Sequence, residues 1–292
     1  MATFHLKEES FVPDASDVDS QVEGTAAPGY EAVVRAFAVG INDIEANGAA
    51  LSVWRDGVEV VDVWAGVADH RESAPWSSDT LNVIFSSSKG LAAIVMARLE
   101  DTGRLDLRAP ISDVWPEFSA HGKGAISVAD VLAHRAGVSA PRDDLTLEDV
   151  LDSAQWAERI AAQEPLWEPG SGHAYHALTF GPIVQELVRR AAGRELHEIF
   201  AEEIAAPLQA DATLKPGPEE AARVAHLTTS SAWNTAITNA SPHDDEWIGR
   251  ALTLGSAFPR PLVQGEQGFN DSRVLQAGLA VLRQDVGYMV KG

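Results

Sequence analysis

The chain of 292 residues contains no cysteine and little positive charge. Without cysteine, neither a disulfide bond nor a catalytic thiol can form within the chain, and this composition fits a reducing compartment. Lysine and arginine together number 22 against 43 aspartate and glutamate residues, which gives a formal net charge of −21. So large a negative charge argues against nucleic acid and anionic membrane as partners.

Long apolar runs are also absent from the sequence. No run reaches the roughly 18 residues needed to span a bilayer, and the N-terminal stretch lacks a basic segment followed by an apolar core, so we expect no signal peptide. We therefore predict a cytoplasmic protein. With 45% hydrophobic and 22% charged residues, the composition is typical of a globular chain.

The apolar patterns predict an α/β region followed by a mostly helical one. Residues 29–46 carry apolar side chains at helical spacing. Residues 49–69 read as two strands joined by Asp56 and Gly57, which is a strong hairpin signal. We predict a loose arm at 1–24 and a single domain at 25–292, made of an α/β lobe at 25–104 and a mostly α lobe with loops at 105–292.

Three serines and one of only five lysines precede an apolar helix, which we predict to run from about Ser86 to Asp101. Only Ser86 has a lysine, Lys89, three residues later, and residues i and i+3 share one face of a helix. A desolvated lysine amine can take a proton from a serine hydroxyl, and the free N–H groups at a helix N-terminus can bind an oxyanion. This spacing predicts a serine nucleophile; the alternative is that the serines only cap the helix.

Tyrosine is rare too, and one of the three in the chain, Tyr175, follows a glycine-rich turn and precedes a predicted helix. A phenolate beside an ammonium group can act as the base for a serine hydroxyl. The alternative is a tyrosine that simply packs the turn. His173 and His176 are three residues apart, but no third ligand accompanies them, so we predict no metal site. Trp167 and His176 are candidate substrate-binding residues.

Three motifs in this order resemble the serine β-lactamase and penicillin-binding-protein superfamily. They are FSSSKGLAA at 85–93, DVLAHRAGV at 130–138 and WEPGSGHAYHALTFG at 167–181. The chain is most similar to the class C branch and, within it, to the family VIII carboxylesterases, over roughly residues 30–275. The resemblance implies an α/β (α+β) fold of the β-lactamase/transpeptidase type, with an antiparallel sheet flanked by helices, an all-α lobe, and a cleft between the two.

The resemblance also implies a role for each site residue. Ser86 would be the acylated nucleophile and Lys89 its proton partner. Tyr175 would be the base that activates Ser86 and later the hydrolytic water. The backbone N–H of Ser86 would supply half of the oxyanion hole. No cofactor is implied.

The sequence departs from the family in two places. Class C lactamases carry Tyr-x-Asn, whereas Ala177 occupies the third position here, which favours esters over lactams. The family's third motif is spelled only by 215–217 (Lys-Pro-Gly) and 247–249 (Trp-Ile-Gly), which come early and outside strand-like runs. We therefore expect the C-terminal strands of the sheet to be missing, and the strands at 51–67 to leave an unpaired edge through which the chain could self-associate.

We predict a serine carboxylesterase that cleaves small carboxylic esters through an acyl-serine intermediate. Its partner would be a small-molecule ester, with neither nucleic acid nor membrane involved. A first alternative is β-lactamase or D-alanyl peptidase activity. A second alternative is a truncated, non-catalytic relative that acts as a binding protein.

Overall fold

The computed structural model describes residues 22–43, 48–229, 235, 246–258, 268–276 and 281–282. They fall into two compact units, the first reaching to Thr80 and the second beginning at Leu81. This division precedes the serine-rich segment, whereas the sequence placed the boundary between lobes at residue 104. The helix at 88–101 belongs to the second unit because its apolar side chains are part of that unit's hydrophobic core.

The first unit is a small antiparallel sheet with one helix. Its elements are β1 (Glu23–Ala26), α1 (Glu31–Asp43), β2 (Gly48–Arg55), β3 (Val58–Asp69) and β4 (Ala74–Pro75). The strand order is β1-β3-β2, with β4 pairing to the far part of β3. Of the predicted arm, residues 1–21 lie outside the described residues.

The predicted hairpin at Asp56 and Gly57 is confirmed. Both residues have positive φ, 52° and 75°, as a two-residue hairpin turn of the right twist requires. The register pairs Leu51 with Val63 and Val53 with Val61. Val61, Val63 and Ala65 alternate along β3 and are buried, so this face forms the core of the sheet.

Among the described residues, β2 pairs with β3 alone and so lies at the edge of the sheet. Self-association through this edge stays a prediction.

Helices dominate the second unit. Its first part contains β5 (Asn82–Val83), a 3₁₀ turn (Phe85–Ser87), α2 (Ser88–Asp101), α3 (Ile111–Val114), an irregular 3₁₀ segment (Pro116–Ala125), α4 (Val128–Leu132), α5 (Leu147–Leu151) and α6 (Ser153–Ala162). Its second part contains α7 (Phe180–Ala192), α8 (Leu196–Ile199), a π turn (Phe200–Ala205), α9 (Ala206–Leu208), β6 (Ala212–Thr213), α10 (Pro218–Ala221), α11 (Glu246–Thr253), α12 (Ser272–Gln276) and β7 (Val281–Leu282). Strand β7 pairs antiparallel with both β5 and β6.

Helix α2 is the centre of this unit. Its Val95, Met96 and Leu99 are buried, and they share one hydrophobic core with Ile183 and Leu187 of α7. The helix starts two residues later than predicted because Phe85–Ser87 form a separate turn. The helix is buried on one side only, since Ile94 on the other side is 40% exposed.

No helix in the described part of the chain is long and apolar enough to cross a membrane.

Candidate active site

The turn before α2 presents Ser86 to solvent. Phe85 has a φ of 46°, in the left-handed region that a bulky side chain rarely adopts. Its ring lies against the ring of Phe269, with 5.7 Å between centroids. The amide of Ser87 makes the first hydrogen bond of the turn, to the carbonyl of Ile84, so the Ser86 N–H precedes the bonded amides. This strained residue was not predicted, since no sequence signal marks it.

Lys89 connects the serine to a segment almost ninety residues later in the chain. Its Nζ lies 3.4 Å from the Oγ of Ser86 and donates a hydrogen bond of 2.8 Å to the carbonyl oxygen of Ala177. The first contact follows from the i, i+3 spacing across the 3₁₀ turn and the start of α2. The lysine is half-buried, so its amine is held at a fixed place beside the hydroxyl.

Tyr175 is the third member of the group. The Nζ of Lys89 lies 4.9 Å from the centroid of the Tyr175 ring and 5.4 Å from that of Phe180. The ring of Tyr175 is 46% exposed. The structure therefore brings Ser86, Lys89 and Tyr175 together around one ammonium group.

His176 and Trp167, the two candidate substrate-binding residues, line no part of the cavity described below. His176 is 1% exposed; its Nδ1 lies 2.7 Å from the carbonyl of Ala174, and its Nε2 accepts the N–H of Val138 at 3.3 Å. Burial lowers the pKa of His176 to about 4, so its ring is neutral at physiological pH. Trp167 packs edge-on against this ring. Both residues therefore support the loop from within.

His134, to which the sequence assigned no role, lies beside Tyr175. Their ring centroids are 4.9 Å apart, in an edge-to-face arrangement. Its Nδ1 accepts the N–H of His176 at 3.3 Å. Partial burial, then the charges of Lys89 and His173, lower its pKa. The sequence feature that could have drawn attention to His134 is its place in the motif DVLAHRAGV at 130–138.

A cavity of about 430 Å³ opens at this group. Ser86, Lys89, Tyr175 and Ala177 are among its lining residues, and the wall as a whole is largely apolar. The apolar lining comes mainly from Phe85, Leu178, Phe180, Leu214, Phe258 and Phe269. In the described part of the chain, no group of histidine, aspartate and glutamate residues is arranged to hold a metal ion.

Neither candidate for the third motif is part of a described strand. Lys215 borders the cavity in the loop between β6 and α10. Trp247 is part of α11 and faces the guanidinium groups of Arg142 and Arg250.

Comparison with known proteins identifies the family. The beta-lactamase family model matches residues 33–279. The chain belongs to the beta-lactamase family. It is 41% identical over 278 residues to the esterase/beta-lactamase LipL of Mycobacterium tuberculosis, an alignment that covers 92% of this chain and 64% of LipL. The chain thus spans less than two thirds of the length of this relative.

Solved structures agree with the family assignment. A family VIII carboxylesterase superposes with a TM-score of 0.70 at 32% identity, covering 90% of this chain and 68% of that one. EstA from Arthrobacter nitroguajacolicus Rue61a superposes with a TM-score of 0.72 at 31% identity, over 90% and 66% of the two chains. A penicillin-binding protein homolog from Caulobacter crescentus gives 0.72 at 28% identity. The predicted resemblance and the predicted fold class are both confirmed.

Proposed function

We propose that the protein is a serine hydrolase that cleaves small carboxylic esters through an acyl-serine intermediate. One observation carries the proposal: the Nζ of Lys89 contacts the Oγ of Ser86 at 3.4 Å while it lies over the ring of Tyr175, and all three residues line a largely apolar cavity. A serine whose hydroxyl meets a potential base is the arrangement that nucleophilic catalysis needs.

In the first half of the reaction, the pair of Lys89 and Tyr175 removes the proton of the Ser86 hydroxyl. The Oγ then attacks the carbonyl carbon of the ester, and the N–H of Ser86 donates to the oxyanion that forms. When the tetrahedral intermediate collapses, the bond to the alcohol oxygen breaks and the alcohol leaves with the proton held by the pair. The acyl group stays on Ser86.

In the second half, a water molecule takes the place of the alcohol. The same pair accepts one proton of the water, whose oxygen attacks the acyl carbon. The bond to the Oγ of Ser86 breaks, the serine regains a proton, and the carboxylic acid departs. One water is consumed for each ester cleaved.

Ala177 supports esters over lactams. Ala177 borders the cavity, and it occupies the sequence position at which class C enzymes carry the asparagine that holds the side-chain amide of the lactam. A methyl group cannot donate or accept a hydrogen bond there. An acyl ester needs no such partner, and the apolar wall of the cavity suits an acyl chain.

The test compares a short-chain nitrophenyl ester with a chromogenic cephalosporin, using the wild type and an Ala177→Asn variant. We expect the wild type to turn over the ester much faster than the lactam, and the variant to raise the ratio of lactam to ester turnover. Labelling by a fluorophosphonate, followed by mass spectrometry, should locate the adduct on Ser86. A wild type that turns over neither substrate and takes no label would overturn the proposal in favour of a non-catalytic protein.

A further inference from the structure

We propose that His134 is a positioning residue that holds Tyr175 beside Lys89, and that it does so only while its imidazole is neutral. This inference rests on the proposed function, in which Tyr175 acts as a base. Three independent features carry it: the backbone of His134, the hydrogen bonds around Tyr175, and the charges that face the imidazole.

The backbone conformation of His134 is one that glycine usually adopts. Helix α4 ends in a turn where the amide of His134 donates to the carbonyl of Val131 and the amide of Arg135 donates to that of Asp130, both at 3.0 Å. The residue at this point of such a turn is usually glycine, because its φ is positive. His134 has a φ of 64°. A histidine that occupies a glycine position is best explained by a need for its side chain.

The hydrogen bonds of His134 lie on both sides of Tyr175. Its carbonyl oxygen accepts the N–H of Ala174, and its Nδ1 accepts the N–H of His176, each at 3.3 Å. Its ring also packs edge-on against the phenol ring. One residue therefore holds the backbone before and after Tyr175 as well as the ring itself.

His176 reinforces the same stretch. Its Nε2 accepts the N–H of Val138, so in the neutral ring the proton lies on Nδ1, which donates to the carbonyl of Ala174. Both imidazoles thus use an unprotonated nitrogen to accept a backbone amide. Protonation of either ring would remove an acceptor from the loop.

Partial burial first, and then the charges of neighbouring groups, oppose protonation of His134. Lys89 faces it from α2, while His173, Tyr175 and His176 face it from the loop, and the uncharged ring of Phe180 faces it from α7. Both Lys89 and His173 oppose a second positive charge. At acid pH, a protonated His134 would lose its bond to the His176 N–H and be repelled by Lys89, and Tyr175 would lose its fixed position.

The experiment compares His134→Gly with His134→Asn. Glycine adopts a positive φ without strain, so we expect the melting temperature of His134→Gly to stay equal or rise. It has no side chain to hold Tyr175, so kcat on a nitrophenyl ester should fall about 10- to 100-fold, because small displacements of catalytic groups cost this much in rate. Asparagine tolerates the left-handed conformation and its Oδ1 can accept the His176 N–H, so it should recover much of kcat. A glycine variant with wild-type kcat, or an asparagine variant no better than glycine, would overturn the proposal.

The pH profile gives a second readout. Besides the pH dependence that the catalytic base itself gives, protonation of His134 should add a fall in the wild-type kcat with a midpoint below 6.5, the ordinary pKa of histidine. This added acid limb should be absent in His134→Asn, which cannot titrate. His173→Asn is the matched control: His173 lies 6.0 Å from the His134 ring, and it has no hydrogen bond among the described residues. This control should keep the acid limb, with its midpoint moved toward 6.5 because one of the groups that oppose a charge on His134 is gone.

A third readout does not depend on activity. The chain has three tyrosines, so ¹³C-tyrosine labelling gives few signals, and Tyr175→Phe assigns one of them. We expect the Tyr175 signal to shift with pH in the wild type and to stay constant in His134→Asn. A constant signal in the wild type would defeat the positioning role even in an active esterase. Failure of fluorophosphonate to label Ser86 would defeat the proposed function instead. The effect of His134 on the position of Tyr175 could still be measured by this signal.

Discussion

Lys89 and Lys123 each donate a hydrogen bond to a backbone carbonyl and lie near an aromatic ring, but they differ in burial and in what else the amine contacts. The Nζ of Lys89 donates to the carbonyl of Ala177 and lies over aromatic rings. The Nζ of Lys123 donates to the carbonyls of Ala120 and Gln163, at 2.7 and 2.5 Å, and lies 5.5 Å from the ring centroid of Phe118. Lys123 is fully buried, whereas Lys89 borders a cavity and meets a serine.

The comparison separates burial from catalysis. Burial lowers the pKa of Lys123 to about 8, yet this amine meets neither a nucleophile nor space for a substrate. A perturbed lysine is therefore a weak sign of function by itself. What sets Lys89 apart is the Oγ of Ser86 on one side and Tyr175 on the other. Three changes test this distinction.

Removing the serine should have the largest effect. Ser86→Ala leaves covalent catalysis without its nucleophile, and we expect kcat for a nitrophenyl ester to fall on the order of 10³-fold or more. The Nζ of Lys89 would then have only its hydrogen bond to a backbone carbonyl, as the Nζ of Lys123 has. The matched control is Ser87→Ala, which removes an exposed hydroxyl outside the cavity lining. Equal losses in the two variants, with both folded, would contradict the assignment of Ser86.

Changing the lysine to arginine should have the next largest effect. Lys89→Arg keeps the positive charge, but a guanidinium group cannot accept a proton, so kcat should fall on the order of 10²-fold or more. Lys215→Arg, at a second lysine that borders the cavity, should keep its rate. Near-normal rates in Lys89→Arg would mean that this lysine acts only as a charge, and the distinction from Lys123 would weaken.

Lys123→Met should leave kcat unchanged and alter stability instead. It removes the donor to two carbonyls, which costs about 1–3 kcal/mol of the free energy of unfolding when these acceptors stay unpaired. The full loss should appear near pH 10, where the wild-type amine is neutral. At pH 7 the wild type also carries the cost of a buried charge, so the loss should be smaller there. Urea unfolding at both pH values measures it.

The sign of this pH effect follows from proton binding. Between about pH 8 and the ordinary lysine pKa of about 10.4, the unfolded chain binds the proton of Lys123 and the folded chain does not. The stability of the wild type relative to Lys123→Met must therefore rise with pH across this window. Lys215→Met, which removes an exposed lysine, is the surface control for the substitution itself. A wild type that loses stability relative to Lys123→Met over this window would contradict the lowered pKa.

The parts of the structure that depend on local spacing could be predicted from the sequence. The contact of Ser86 with Lys89 comes from one helical turn, and the hairpin comes from Asp56 and Gly57. The cap of α4 is equally local, because the Oγ of Ser127 accepts the amide of Asp130, three residues later, at 3.0 Å. Each of these depends on residues close together in the chain.

The remaining features depend on which distant segments meet. The carbonyl of Ala177 as the partner of Lys89 has no signature, because every residue has a carbonyl. His176 was assigned to the substrate, although its ring points to Val138. The positive φ of Phe85 and of His134 goes against the usual preference of these residue types and is stabilised only by the surrounding structure.

The hydrogen bonds between residues 134–138 and the loop at 166–177 constrain how this region can change in evolution or by design. Besides the bonds to the two histidines, the amide of Leu166 donates to the carbonyl of Gly137, and the amide of Gly170 donates to that of Arg135. Each of these hydrogen bonds joins one particular residue of the loop to one particular residue of 134–138. Substitutions that keep the backbone path should be accepted at many points, whereas an insertion or deletion of a single residue between Gly170 and Ala177 would move the carbonyl that Lys89 binds. The region can vary in composition while its length stays constant.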